Sequence, residues 1–365
     1  MNLFPELQKR YTKENLNARE AQRLAEFIAF GPVIFQTARI MLKRGILELI
    51  RNSDEGLTIS EVAEKANLSV YAAKCLLEAS LCIGILLINP KTDKFTLSKT
   101  GWFLLNDAAT KVNIDFNHDV NYLGWFNLEE SLINEKPEGL KTLGDWPTVY
   151  EGLSSLPKHI QDSWFGFDHF YSDNSFDDAL KIVFSSKPAT LLDVGGNTGR
   201  WALRCVEFDK DVNVTILDLP QQIAMMKENT KGKEGSDRIH GMGLNFLDES
   251  TEMPDRKTFD VIWMSQFLDC FSETQIVSIL KRATKAMNND SRLYIMETLW
   301  DRQRFEPASL CLTLTSLYFT AIANGNSKMY HSEDMMRLIK ESGMEIEKIH
   351  DYLGQGHSIL VCKLK

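Results

Sequence analysis

Hydrophobic and polar positions divide the chain into stretches with different rhythms. Over residues 17–52 apolar side chains recur at helical spacing (Leu24, Phe27, Ile28, Ile34, Ala38, Met41 and Leu42), which predicts helix. Two shorter helices are predicted next, one capped by Thr58 or Ser60 and one capped near Ser69. Residues 84–98 read as two strand-like runs around a Pro/Asp turn. Helix, turn, helix and hairpin together predict a winged helix. From residue 189 onward, short apolar runs at 190–193, 213–218, 239–245, 259–265, 291–297 and 357–363 alternate with helical segments at 199–207, 220–229, 273–287 and 332–342. That alternation predicts a doubly wound α/β sheet. A Gly-rich turn joins Ile346–Tyr352 to the last run as an antiparallel hairpin. The predicted organisation is a winged-helix-like domain over 1–110, a helical connector over 111–185 and an α/β domain over 186–365.

Charge changes the first reading of the winged helix. Between Gly56 and Asp107, lysines at 65, 74, 91, 94 and 99 are matched by acids at 61, 64, 78, 93 and 107, so five minus five leaves zero. A DNA reader carries a basic face, and the whole chain of 365 residues has a net charge of −9. The charge therefore argues against nucleic acid and anionic membrane surfaces as partners. No apolar stretch is long enough to span a bilayer, and the N-terminus lacks the apolar core of a secretion signal. Six cysteines stand singly, with no C-x-x-C pair. This implies small core residues, reduced thiols, a cytoplasmic setting and no metal.

The connector is crowded with aromatic side chains, including Trp125, Trp146, Tyr150 and the run Trp164-Phe-Gly-Phe-Asp-His-Phe-Tyr171. That run is too dense for one face of one helix, so some of its rings are expected to face a ligand.

The sharpest chemical signal is Thr190-Leu-Leu-Asp-Val-Gly-Gly-Asn-Thr-Gly-Arg-Trp201. A buried strand ends at Asp193, a turn follows at Gly195, Gly196 and Gly199, and a helix begins. The dinucleotide pattern G-x-G-x-x-G fails in both possible registers, because Asn197 and Arg200, or Thr198 and Trp201, stand where glycine is required. Asn197 takes the middle glycine's place, and asparagine tolerates positive φ. A second strand ends at Asp218, 25 residues on, followed by Leu219-Pro220. A carboxylate at that tip can accept both hydroxyls of a ribose.

On these motifs the chain resembles the class I S-adenosylmethionine (SAM) methyltransferases. More closely, it is similar to the dimeric small-molecule O-methyltransferases of natural-product pathways. The resemblance implies a Rossmann-like SAM-binding domain behind a winged-helix dimerisation domain, a homodimer, SAM as cofactor and S-adenosylhomocysteine as product. It implies cofactor contacts from Tyr171, Asp193, Gly195, Gly196, Asn197, Gly199, Asp218, Leu219, Asn245, Phe246, Met264 and Ser265. In the family a histidine follows the fourth strand in Leu-His-Asp-Trp-Ser-Asp and deprotonates the substrate. Here Asp269 takes the histidine's place, Cys270 the aspartate's and Phe271 the tryptophan's. Asp269 with Glu297, at the end of the fifth strand, is then the expected base. Two close carboxyls raise one another's pKa and can share a proton. Trp125, Trp164, Phe167, Tyr318, Phe319 and Tyr330 are the expected wall for an aromatic substrate. The implied activity is methylation of a phenolic hydroxyl. Ring C-methylation, or SAM binding without methyl transfer, are the alternatives left by the missing histidine.

Overall fold

The computed structural model describes residues 3–254 and 259–365. They form two compact units, one of Glu14–Asp119 and one of Met1–Lys13 with Val120–Lys365.

In the smaller unit, the long helical stretch is cut into helices Ala18–Ala29, Gly31–Lys43 and Ile46–Arg51. The first break falls at Gly31-Pro32, where proline sits in the first turn of the new helix. The second falls at Gly45, which adopts φ +67°. Thr58 caps helix Ile59–Lys65 through a reciprocal pair with Glu61, and Ser69 caps helix Val70–Ile83. Strands β1 (Leu86–Asn89) and β2 (Lys94–Leu97) complete the wing as an antiparallel pair. The core of this unit gathers Met41, Leu47, Ile50, Val62, Leu77 and Phe95. Leu24, Ile28, Val33 and Ile40 do not join it and stand exposed. Cys75 and Cys82 are also exposed rather than in the core, on a helix whose buried face is Ala73, Leu77 and Ser80.

The larger unit is built on β3 (Thr190–Val194), β4 (Asn213–Asp218), β5 (Ile239–Gly243), β6 (Val261–Ser265), β7 (Arg292–Glu297), β8 (Met344–Leu353) and β9 (His357–Leu364). Among the described residues these make one sheet of order β5-β4-β3-β6-β7-β9-β8. Only β9 and β8 run antiparallel to their neighbours. The central strands β3, β6 and β7 are buried along almost their whole length, as parallel strands covered on both faces must be. Leu192, Ile262, Leu280 and Ile295 fill one face. Trp201, Ile216, Trp263 and Tyr294 fill the other. The rings of Trp201 and Trp263 stack at 4.4 Å, fixing helix Arg200–Phe208 to the sheet and with it the turn that precedes the helix. The strand order reverses between β3 and β6, and a ligand crevice is expected at the carboxyl ends of the strands there.

Candidate active site

The turn after β3 has the predicted geometry. Gly195 and Gly199 adopt φ +77° and +81°, and Asn197 adopts +49°. A Cβ at Gly195 would lie 2.4 Å from the Phe267 ring, and one at Gly196 would lie 2.5 Å from Asp193 Oδ2. Only bare backbone fits this turn. Asp193 lies beneath it, 2% exposed, and its Oδ2 has no hydrogen-bond partner. Burial, and secondarily the charge of Asp218, pushes its pKa up to about 8. Asp193 therefore underpins the turn from below.

Asp218 closes the turn from the side. Its Oδ2 accepts from Asn197 N–H at 2.8 Å, and its Oδ1 accepts from Leu219 N–H at 2.7 Å. Burial raises its pKa to about 6 against the pull of those two bonds. Each oxygen keeps a lone pair for a further donor. Leu219 is half-buried beside it.

Beyond β5 the strand ends at Gly243, two residues short of the predicted run. Asn245 lies exposed in a turn and points its Oδ1 at Leu247 N–H, 2.9 Å away. Phe246 is buried, edge-on to Phe267 at 5.0 Å, and its carbonyl accepts from Arg282 at 2.6 Å. Met264 corrects an expectation. Its side chain is fully enclosed in the apolar core with Leu192 and Ile295, so it packs the sheet instead of lining the crevice. The alternating pleat of β6 turns that side chain inward. Ser265, next along, is half-buried at the strand's end.

After β6 the chain makes a tight turn, Leu268–Cys270, which carries Asp269. Glu297 holds this turn from the end of β7. Its Oε1 accepts from the backbone N–H groups of Phe267 at 3.1 Å and Leu268 at 2.9 Å, while its Oε2 is buried without a partner. Burial and the neighbouring Asp269 charge push the Glu297 pKa well up. Burial raises Asp269 to about 6. The turn is pinned elsewhere by Asn324, which donates to Cys270 O at 2.5 Å, and by Tyr330, which donates to Phe271 O at 2.6 Å. The Tyr330 hydroxyl is thus committed to the backbone. His331 caps helix Ser332–Glu341 by accepting from Glu333 N–H at 3.1 Å.

The aromatic residues form a wall beside this turn. Trp164 donates its indole N–H to the Tyr318 hydroxyl at 2.8 Å, and both are buried. Phe319 packs on Tyr318 at 5.2 Å, and Phe167 on Tyr171 at 4.9 Å. Trp125 lies half-buried on the turn Gly124–Asn127, which packs against Phe319–Ala323. Tyr150 and Asp168 belong to the same neighbourhood: burial first, and then Cys270, Tyr318 and Asp269, push the Tyr150 pKa up, and burial first, and then Asp269, pushes up that of Asp168. Sequence reasoning gave neither a role. The signal for Asp168 was its place four residues after Trp164, on the same helix face. Gln266 was missed as well. It takes φ +46° and meets His357 Nε2 at 3.1 Å, whose Nδ1 meets Ser175 at 2.8 Å.

Two family descriptions match the chain, a Dimerisation2-like domain over residues 22–95 and an O-methyltransferase domain over residues 173–345. The chain belongs to the SAM-dependent small-molecule O-methyltransferases. Norreticuline-7-O-methyltransferase of Papaver somniferum is 27% identical over 57% of this chain and 55% of its own length. The mitomycin biosynthesis 6-O-methyltransferase of Streptomyces lavendulae is 26% identical over 85% of each chain. The fold matches that of human N-acetylserotonin methyltransferase crystallised with SAM, with a TM-score of 0.68 and 15% identity over 96% of this chain and 99% of the other. In this O-methyltransferase the residues present fit a SAM nucleoside. The turn is bare backbone, Asn197 Oδ1 is buried without a partner, and Asp218 has acceptor capacity to spare.

Proposed function

We propose that this protein methylates a hydroxyl group of a small aromatic acceptor, with Asp269 as the base, and that it works as a homodimer. The observation that carries this reading is the convergence of Asp218 and Asp269 on one edge of the sheet, at the carboxyl ends of β4 and β6. Bound SAM supplies an electrophilic methyl group on a sulfonium. Asp218 accepts the ribose hydroxyls with the lone pairs left by its two backbone bonds. Gly195, Gly196, Asn197 and Gly199 line the approach of the nucleoside, Leu219 and Phe246 flank its base, and Asn245 receives the exocyclic amine. Ser265 and Tyr171 serve the amino-acid end.

Asp269 takes the proton of the acceptor hydroxyl. A carboxyl with pKa about 6 is better matched to a phenol than one in water, because the proton transfer is less uphill. Glu297 keeps its own proton and holds the turn that carries Asp269. Orientation by Trp164, Phe167, Tyr318 and Phe319 supplies the remaining acceleration. Trp125 and Tyr330 border the same wall.

Leu24, Ile28, Val33 and Ile40 give the first two helices of the small unit exposed apolar positions, a pattern that marks an association surface. Light scattering of the purified protein tests the dimer. Incubation with SAM and a panel of phenols, followed by detection of S-adenosylhomocysteine, tests the reaction. Proton NMR distinguishes an O–CH₃ product from a ring CH₃. Absence of S-adenosylhomocysteine across the panel overturns the reading.

A further inference from the structure

Asp168 and Tyr318 stand within electrostatic reach of Asp269. Helix Lys158–Asp173 presents Trp164, Asp168 and Tyr171 at i, i+4 and i+7, one stripe along one face. Trp164 anchors that stripe to Tyr318 at 2.8 Å. One turn further on, Asp168 is half-buried and has no hydrogen-bond partner among the described residues. It is in electrostatic reach of both Tyr318 and Asp269.

The cation that acts on Asp168 is Arg200, and Arg200 is already engaged. Its guanidinium pairs with Asp173 at 2.6 Å and meets His169 at 2.8 Å. Burial and hydrogen bonding, with no cation among them, set the pKa of Asp269. Burial first, and then Asp269 and Asp173, hold the Asp168 pKa up near 7. Aromatic rings beside desolvated carboxyls are a receptor for organic cations, through ring faces and charge-assisted hydrogen bonds.

We propose that the aromatic acceptor carries a basic nitrogen and that Asp168 receives it as an ammonium, setting specificity for amine-bearing phenols over neutral and acidic ones. This rests on the phenol-methylating reading above. Within it, Asp269 faces the hydroxyl, and Asp168 fixes the far end of the molecule through its charge.

Three phenols of one ring pattern test the assignment: tyramine, 4-ethylphenol and 3-(4-hydroxyphenyl)propionate. Each is titrated into full-length protein saturated with S-adenosylhomocysteine, and kcat/KM is measured in parallel with SAM. The expected order is amine, neutral, acid, with tyramine favoured over 4-ethylphenol at least tenfold in binding. Asp168→Asn brings the amine-to-neutral ratio to within about threefold, and Asp168→Lys shifts preference toward the acid. Methylation of all three without an amine preference overturns this proposal and leaves the methyltransferase reading standing. Amine-selective binding without any S-adenosylhomocysteine formation does the reverse. A ratio unchanged by Asp168→Asn, a loss confined to SAM affinity, or binding of none of the three also overturns it.

Discussion

The backbone N–H of Asn197 donates to Asp218 Oδ2 across 2.8 Å, tying the turn after β3 to the tip of β4. The same carboxylate accepts from Leu219 N–H. One side chain therefore both shapes the turn and offers its free lone pairs to a ligand. Asp218→Ala is expected to weaken SAM binding by about 1–3 kcal/mol, the scale of leaving buried donors unpaired. Isothermal calorimetry measures it, and an unchanged affinity removes Asp218 from the site.

Asp269 acts as a base only when ionised. With a pKa of about 6, raised by burial, it is protonated in acid and free in neutral solution. The kcat/KM for a phenol is expected to rise with pH through an apparent value near 6 and then level off. In Asp269→Ala that limb disappears and turnover falls by 10²-fold or more, on the order of general-base effects, while SAM affinity is retained. A wild-type rate in the variant excludes Asp269 as base.

Asp193 links the same chemistry to stability. Its pKa is about 8 in the folded protein and about 3.9 in an unfolded chain. The folded state holds the proton more tightly, so the group's contribution is fully present below about pH 4 and is lost as pH rises toward 8. The loss is of order a few kcal/mol. Asp193→Asn, which cannot ionise, is expected to raise the melting temperature relative to wild type, by more at pH 8 than at pH 5. An equal shift at both pH values contradicts the assignment.

Glu297 separates shape from charge. Glu297→Gln keeps an oxygen for Phe267 and Leu268 and suits a group held neutral by burial, so stability is expected within about 1 kcal/mol of wild type. Glu297→Ala orphans both N–H groups and is expected to cost about 1–3 kcal/mol together with most of the activity. Chemical denaturation and initial rates distinguish the two.

Much of this could be read from the chain because local chemistry and fold agree. Asn197 at a glycine's place, the cap at Ser69, and the acids at the ends of β3 and β4 each had one consistent interpretation, while of Thr58 and Ser60 it is Thr58 that caps its helix. Side-chain direction was harder. Met264 stands beside the crevice in sequence, yet the strand pleat sends it into the core. Asn245 satisfies its own turn first, a local bond that no pattern announces. Periodicity found a face containing Leu24 and Ile28 but could not say that the fold leaves it uncovered. Asp168 was hidden among aromatic neighbours, because its significance depends on Asp269, 101 positions away in the chain.

The Trp201 and Trp263 rings lie 4.4 Å apart and nearly parallel, at 17°, with Trp201 one residue into the helix that the glycine turn launches. Indoles this close couple their electronic transitions, and the coupling depends steeply on overlap. The pair is thus a built-in optical gauge. Near-ultraviolet circular dichroism can follow whether a nucleoside rearranges that helix, with no label attached.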